Sequence, residues 1–177
     1  MATFGNSGAP TGFTEDSITT NYALAWLTTT PADCTSIGML SAYLRVDSGT
    51  TNVKACVWTS AGSLLANGVS TPVGVTSQAG AYVDLTFATP PTVTPNTTYF
   101  FGFVQAAGSS SDVFFRYKAG TGTQRYDSAN SYATPGTLKN SGESASTEDG
   151  WYMTYTPSGG GALSISVAEC ISGEAKF

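Results

Sequence analysis

Apolar and polar residues alternate along most of this chain, and the alternation predicts strands. The clearest case lies between Ala81 and Val104. Val83, Leu85 and Phe87 alternate there with Tyr82, Asp84 and Thr86, the period-two signature of a strand with one buried face. Pro90, Pro91 and Pro95 follow. Proline cannot donate to a central ladder, so this connector is predicted to stay outside the sheet. A second aromatic strand then sets Tyr99, Phe101 and Phe103 on one side and Phe100, Gly102 and Val104 on the other. Both sides are apolar, which predicts a strand deep in a sandwich.

The same period recurs elsewhere. Tyr22, Leu24 and Trp26 alternate with Ala23 and Ala25, and the surrounding threonines favour strand over a helical turn. Leu40, Ala42, Leu44 and Val46 form one inward row, and Val53, Ala55 and Val57 another, with Asn52, Lys54, Cys56 and Trp58 opposite. Asp47-Ser48-Gly49, Ser60-Ala61-Gly62 and Asn67-Gly68 read as turns. Pro72 and Gly74 weaken the run from Val69 to Val75 into an edge strand. Asp112–Lys118 and Trp151–Tyr155 are strands. Gly120–Asp149 between them lacks a period, and a loop of that length is usually functional or mobile. With no helix of substance, the pattern predicts an all-β, antiparallel, jelly-roll-like β-sandwich. Residues 1–14 read as a flexible N-terminal arm and 15–156 as the sandwich. Residues 157–177 read as a Gly-rich joint, a last strand through Leu163, Ile165 and Val167, and a flexible C-terminal tail ending at Phe177.

Composition narrows the function classes. Charged residues make up only 11% of the 177 residues, so Ser, Thr, Gly and Asn must cover the exterior, and copies could crowd with little repulsion. The net charge is −5 and the seven basic residues are scattered. No basic stripe exists to neutralise phosphates, which argues against nucleic-acid binding. No apolar run approaches a membrane span, so no membrane insertion is expected. The start, Met-Ala-Thr-Phe-Gly-Asn-Ser-Gly, has neither a basic n-region nor an apolar h-region, and release by lysis is expected over export through a leader.

The candidate chemistry is sparse. The chain contains no histidine, so a Ser-His-Asp or Cys-His arrangement is impossible. Glu15-Asp16 and Glu148-Asp149 are adjacent carboxylates, and neighbours on a strand point to opposite faces rather than across a shared gap. A non-enzymatic role is expected, with no cofactor. Asp47-Ser48-Gly49 and Glu148-Asp149-Gly150 offer oxygens from turns and are the candidates for a structural calcium ion, although Asp-Gly is also ordinary turn chemistry. Cys34, Cys56 and Cys170 match no zinc spacing. Buried thiols are expected, and a Cys34–Cys56 bridge is the alternative. Trp58 precedes a turn on the side of Lys54, and Tyr126 and Tyr132 lie in the long aperiodic segment. Together they are the candidate platform for stacking a sugar, against the commoner role of such aromatics as core packing.

The run from Ile37 to Val104, about half the chain, resembles jelly-roll modules of bacterial surface proteins and phage structural proteins. The resemblance rests on Ala42-Tyr43-Leu44, Asn52-Val53-Lys54 leading into Val57-Trp58, and Gly62-Ser63-Leu64-Leu65-Ala66. It continues in Val83-Asp84-Leu85-Thr86-Phe87 and Asn96-Thr97-Thr98-Tyr99-Phe100. These are core and turn residues, so they speak for fold before function. The Thr/Ser/Gly exterior, the absence of an export signal and the Gly-rich arms at both ends lead, within this resemblance, to the expectation of a virion structural protein of a bacteriophage: a capsid decoration, fibre or tail-associated piece on the particle's exterior. Its partners would be other virion proteins or copies of itself in a homo-oligomer, with a host-surface glycan as a further partner. Phe4, Phe13, Leu163, Ile165, Val167 and Phe177, in the two terminal segments, are the candidate assembly contacts. The alternative is a carbohydrate-binding module of a secreted or surface protein, located outside the cell.

Overall fold

A computed structural model of the chain describes residues 1–5, 14–106, 112–147 and 150–158. They form two antiparallel sheets packed face to face, a β-sandwich, with no helix among the described residues. The first sheet is built on β4 (Cys34–Val46). One edge of β4 pairs with β8 (Ala81–Thr86). The other pairs first with β12 (Trp151–Pro157) and then with the start of β10 (Val113–Asp127). Beyond these lie β1 (Ala2–Gly5), bonded to β12, and β2 (Thr14–Ile18), bonded to β10.

The second sheet centres on β9 (Thr98–Gln105), flanked by β3 (Ala23–Thr29) and β5 (Thr51–Thr59). It extends through β6 (Leu64–Val69) and β7 (Val73–Val75), both on β5. On its other side it continues through the end of β10 to β11 (Gly142–Thr147). The fifteen-residue β10 therefore starts in the first sheet and finishes in the second.

The inward rows read from the sequence meet between the sheets. Leu40, Leu44, Val46 and Leu85 from the first sheet pack against Leu24, Val53, Val57, Phe101 and Phe103 from the second. Trp26 stacks on Trp151 at the centre, with ring centroids 5.7 Å apart. Cys34 and Cys56 are buried free thiols with no bridge between them. Burial above all, then Asp33 nearby, pushes the Cys34 thiol up to about 11, and burial likewise raises Cys56. Neither is poised as a thiolate nucleophile.

Three expectations need correction. Residues 1–14 are not simply an arm: 2–5 and 14 already belong to strands of the first sheet. Phe4 packs edge-on against Phe101 and Tyr155 of its own chain, at 5.7 and 5.8 Å. Its ring is thus committed to the chain's own core rather than displayed as a contact for a neighbour. Asn67-Gly68 is not a turn. Both residues lie inside β6, opposite the register shift in β5, with Asn67 at φ +58°, so the pair makes a bulge that the left-handed Asn accommodates. Phe13, Leu163, Ile165, Val167 and Phe177 lie outside the described residues.

Candidate functional site

The outer faces of the two sheets are finished differently. On the second sheet, Ala23, Ala25, Cys56, Trp58, Phe100 and Val104 point away from the sandwich core and would meet water. The segment 128–141 between β10 and β11 covers them. Leu138 is buried among these residues, and Tyr132 packs at their margin. Trp58 donates its indole N–H to the Gly136 carbonyl at 2.8 Å, the Leu138 N–H bonds Gly62 O at 2.8 Å, and Tyr132 N–H bonds Asn21 Oδ1 at 3.1 Å. Asp127 anchors the cover's two ends: its carboxylate accepts from Ala129 N at 3.1 Å, Asn130 Nδ2 at 3.2 Å and Lys139 N at 2.9 Å. A cleft of about 250 Å³ lies within this segment, bordered by Asp127, Asn130, Thr134 and Lys139. The groups of Asp127 and Asn130 there are engaged in holding the loop.

This overturns the predicted stacking platform. Trp58 is 0% exposed, so neither ring face reaches solvent. Tyr132 shares its side of the sheet but lies beneath the Lys54 ammonium, 4.4 Å from the ring centroid, and burial raises its phenol above the ordinary range. Tyr126 is on the opposite side of the sheet, where it stacks on Tyr22 at 5.6 Å beside the inter-sheet core. The three aromatics do not form one surface. The sequence carried no local sign of this, because the contact that buries Trp58 comes from 78 residues further along.

The outer face of the first sheet has a different character. The register places Tyr152 opposite Ser41 and Ser41 opposite Asp84, with Tyr43 opposite Tyr82 in the next outward row. Arg45 then lies opposite Phe114, and Arg116 opposite Glu15. Tyr43, Tyr82, Tyr152, Phe114 and both arginines are half-buried rather than buried. Tyr82 meets Tyr43 and Tyr152 edge-on, with centroids 5.5 and 5.4 Å apart. Arg116 lies 4.4 Å over the Tyr43 ring and Arg45 lies 4.0 Å over Phe114, both cation–π geometries. Gly80, at φ +87° in the turn before β8, sits directly against the Tyr43 ring, where a Cβ would collide with it.

Glu15 ties this face together. It accepts from Arg45 Nη2 at 2.8 Å and from Arg116 Nε at 3.1 Å. The Arg45 hydrogen bond, outweighing the cost of burial and assisted by Arg116, holds the Glu15 carboxyl below its ordinary range. A lowered carboxylate stabilises the fold above the unfolded-state pKa and stops doing so as pH falls through the folded value. Glu15→Gln should therefore cost about 1 kcal/mol at pH 7, the scale of partly exposed ion pairs. The difference from the parent should close in acid. Urea melts at pH 7 and pH 3 check this, and an equal deficit at both would refute it.

Among the described residues the candidate ion sites contribute no cluster. Asp47 bonds Arg45 Nη1 at 2.5 Å, and Glu148-Asp149 lies outside the described residues. Among the described residues no three of His, Cys, Asp and Glu converge. No described helix is long and apolar enough to cross a membrane. The chain matches no protein-family model, no curated protein and no solved structure.

Proposed function

We propose that this chain is a non-enzymatic structural protein of a bacteriophage virion. It stands on the exterior as a capsid decoration, fibre or tail-associated piece, joined to other virion proteins or to copies of itself. The observation that carries this reading is the edge at β1: among the described strands, Ala2–Gly5 bonds to β12 alone. A sheet edge of this kind accepts a strand from a neighbour through main-chain hydrogen bonds, a common way of joining protein subunits. The sparse charge of the chain supports it, since such surfaces can approach without strong repulsion. These carboxylates also suit a role without bond-breaking: Glu15 serves two arginines, Glu143 one, and Asp127 closes its own loop.

The test is mass spectrometry of purified particles together with light scattering of the isolated chain. The chain is expected among the particle proteins, and the isolated protein is expected to form a symmetric oligomer. Its absence from particles that assemble from the same genome would defeat the reading. Deleting residues 1–14 is a poor probe of assembly, because it also removes β1 and the Phe4 ring from the core.

A further inference from the structure

The geometry points to a saccharide-binding site on the outer face of the first sheet, centred on Tyr82 between Tyr43 and Tyr152, with Asp84 at its margin; its ligand is a neutral oligosaccharide. This goes beyond the virion reading, which requires no ligand on that face.

Four features select this class. First, the accessible apolar matter here is aromatic: Tyr82 in edge contact with Tyr43 and with Tyr152, offering ring surface with a polar tip, which suits a molecule that is apolar on one side and hydroxylated on its rim. Of the outward positions on β4 only Met39 is aliphatic. Second, the two cations of the face are already answered. Arg45 is paired with Glu15 and Asp47, and Arg116 with Glu15, so the face makes no demand for an anionic partner. Third, Asp84 is exposed and holds the Ser41 hydroxyl at 2.5 Å. A carboxylate with several acceptor positions can take a further hydroxyl donor. Fourth, the site is held in shape before any ligand arrives. Gly80 abuts Tyr43, Arg116 covers a face of that ring, and Glu15 fixes the arginine, so Tyr43 is a braced wall beside Tyr82 rather than a stacking face, and it has little freedom left to lose on binding.

Saturation-transfer NMR and calorimetry with neutral hexasaccharides of glucose, mannose, galactose and N-acetylglucosamine test the proposal. At least one is expected to bind. Tyr82→Ala should weaken that binding at least about tenfold, whereas Tyr132→Ala, on the opposite sheet, should leave it unchanged. Asp84→Asn covers the case in which Tyr82→Ala fails to fold, and it should weaken binding severalfold. The proposal is overturned if none of the sugars binds, or if binding survives Tyr82→Ala or, where that variant is unfolded, Asp84→Asn. It is also overturned if Tyr82→Ala changes the light-scattering mass without affecting any sugar, since the face would then be a contact between copies. Particle mass spectrometry separates this from the virion reading: a chain that binds sugar but is missing from particles keeps this site and loses that role.

Discussion

Gly102→Ala is expected to lower the melting temperature sharply, and Gly102→Val to prevent folding. Gly102 sits in the middle of β9, opposite Ala25 on one side and Cys56 on the other. A Cβ built there overlaps the Leu24 carbonyl oxygen and comes within 2.5 Å of the Ala25 Cα. Both obstacles are backbone of the adjacent strand, so no rotamer change relieves them. The β3–β9 ladder must open, and that ladder carries Trp26 and Phe101 into the core. Overpacking of this kind costs about 3 kcal/mol for the methyl and more for a branched side chain. For a domain of this size that is roughly 6–12 °C for Gly102→Ala. Gly136→Ala is the internal control, because a Cβ there meets nothing within 4 Å, and its melting temperature should not move. Thermal melts of the two alanine variants decide the matter. Equal melting temperatures would mean that the strands are not spaced as described.

Gly102 also shows which parts of the fold were legible in the sequence. Where one face of a strand is buried and the other wet, alternation names both faces, as Leu40, Ala42, Leu44 and Val46 do on β4. Strand β9 read as apolar on both sides, and it is buried on both. The sequence could not show that its second cover is a loop rather than another sheet. Strand β10 was expected to stop at Lys118 and instead runs to Asp127, because Gly120-Thr121-Gly122-Thr123 carries no hydrophobic period for a reader to follow. The aperiodic stretch Gly120–Asp149 was expected to be one functional or mobile loop, and only 128–141 within it runs between strands β10 and β11. Its lack of period has a simpler origin: it lies across a sheet instead of within one, so neither 2.0 nor 3.6 governs its apolar positions. The tyrosine face was legible only in part. Tyr43 and Tyr82 stand visibly on the polar side of their strands, but their adjacency depends on the β4–β8 register: alternation excludes a one-residue slip, which would turn the buried rows outward, but not a two-residue slip, which keeps them inward and separates the two rings.

The cover itself can be released by one substitution. Asp127→Ala is expected to destabilise the protein by about 2 kcal/mol, because it takes the acceptor from the part-buried backbone N–H groups of Ala129 and Lys139 and from one hydrogen of the buried Asn130 amide. Asp127 is 1% exposed and Asn130 3% exposed, so water does not replace the lost carboxylate without the segment moving. Asn130 passes the constraint onward: its Oδ1 accepts from Gly136 N at 3.2 Å, and its Nδ2 donates to Thr137 O at 3.1 Å. Gly136 in turn offers its carbonyl to Trp58. Loss of the Asp127 carboxylate should therefore loosen 128–141 first and uncover Trp58, while Trp26 and Trp151 remain stacked between the sheets. The expected signature is a red shift and greater acrylamide quenching of tryptophan emission below the melting transition. Both effects should vanish when Trp58→Phe is added. Faster amide exchange at Gly136–Leu138 should accompany them, with β9 still protected, as in local rather than global opening. Asp127→Asn keeps an acceptor of the same shape and should lose about half as much stability. If instead all three tryptophans respond together and β9 exchanges in step with the cover, then 128–141 is no separable lid but a cooperative part of the sandwich.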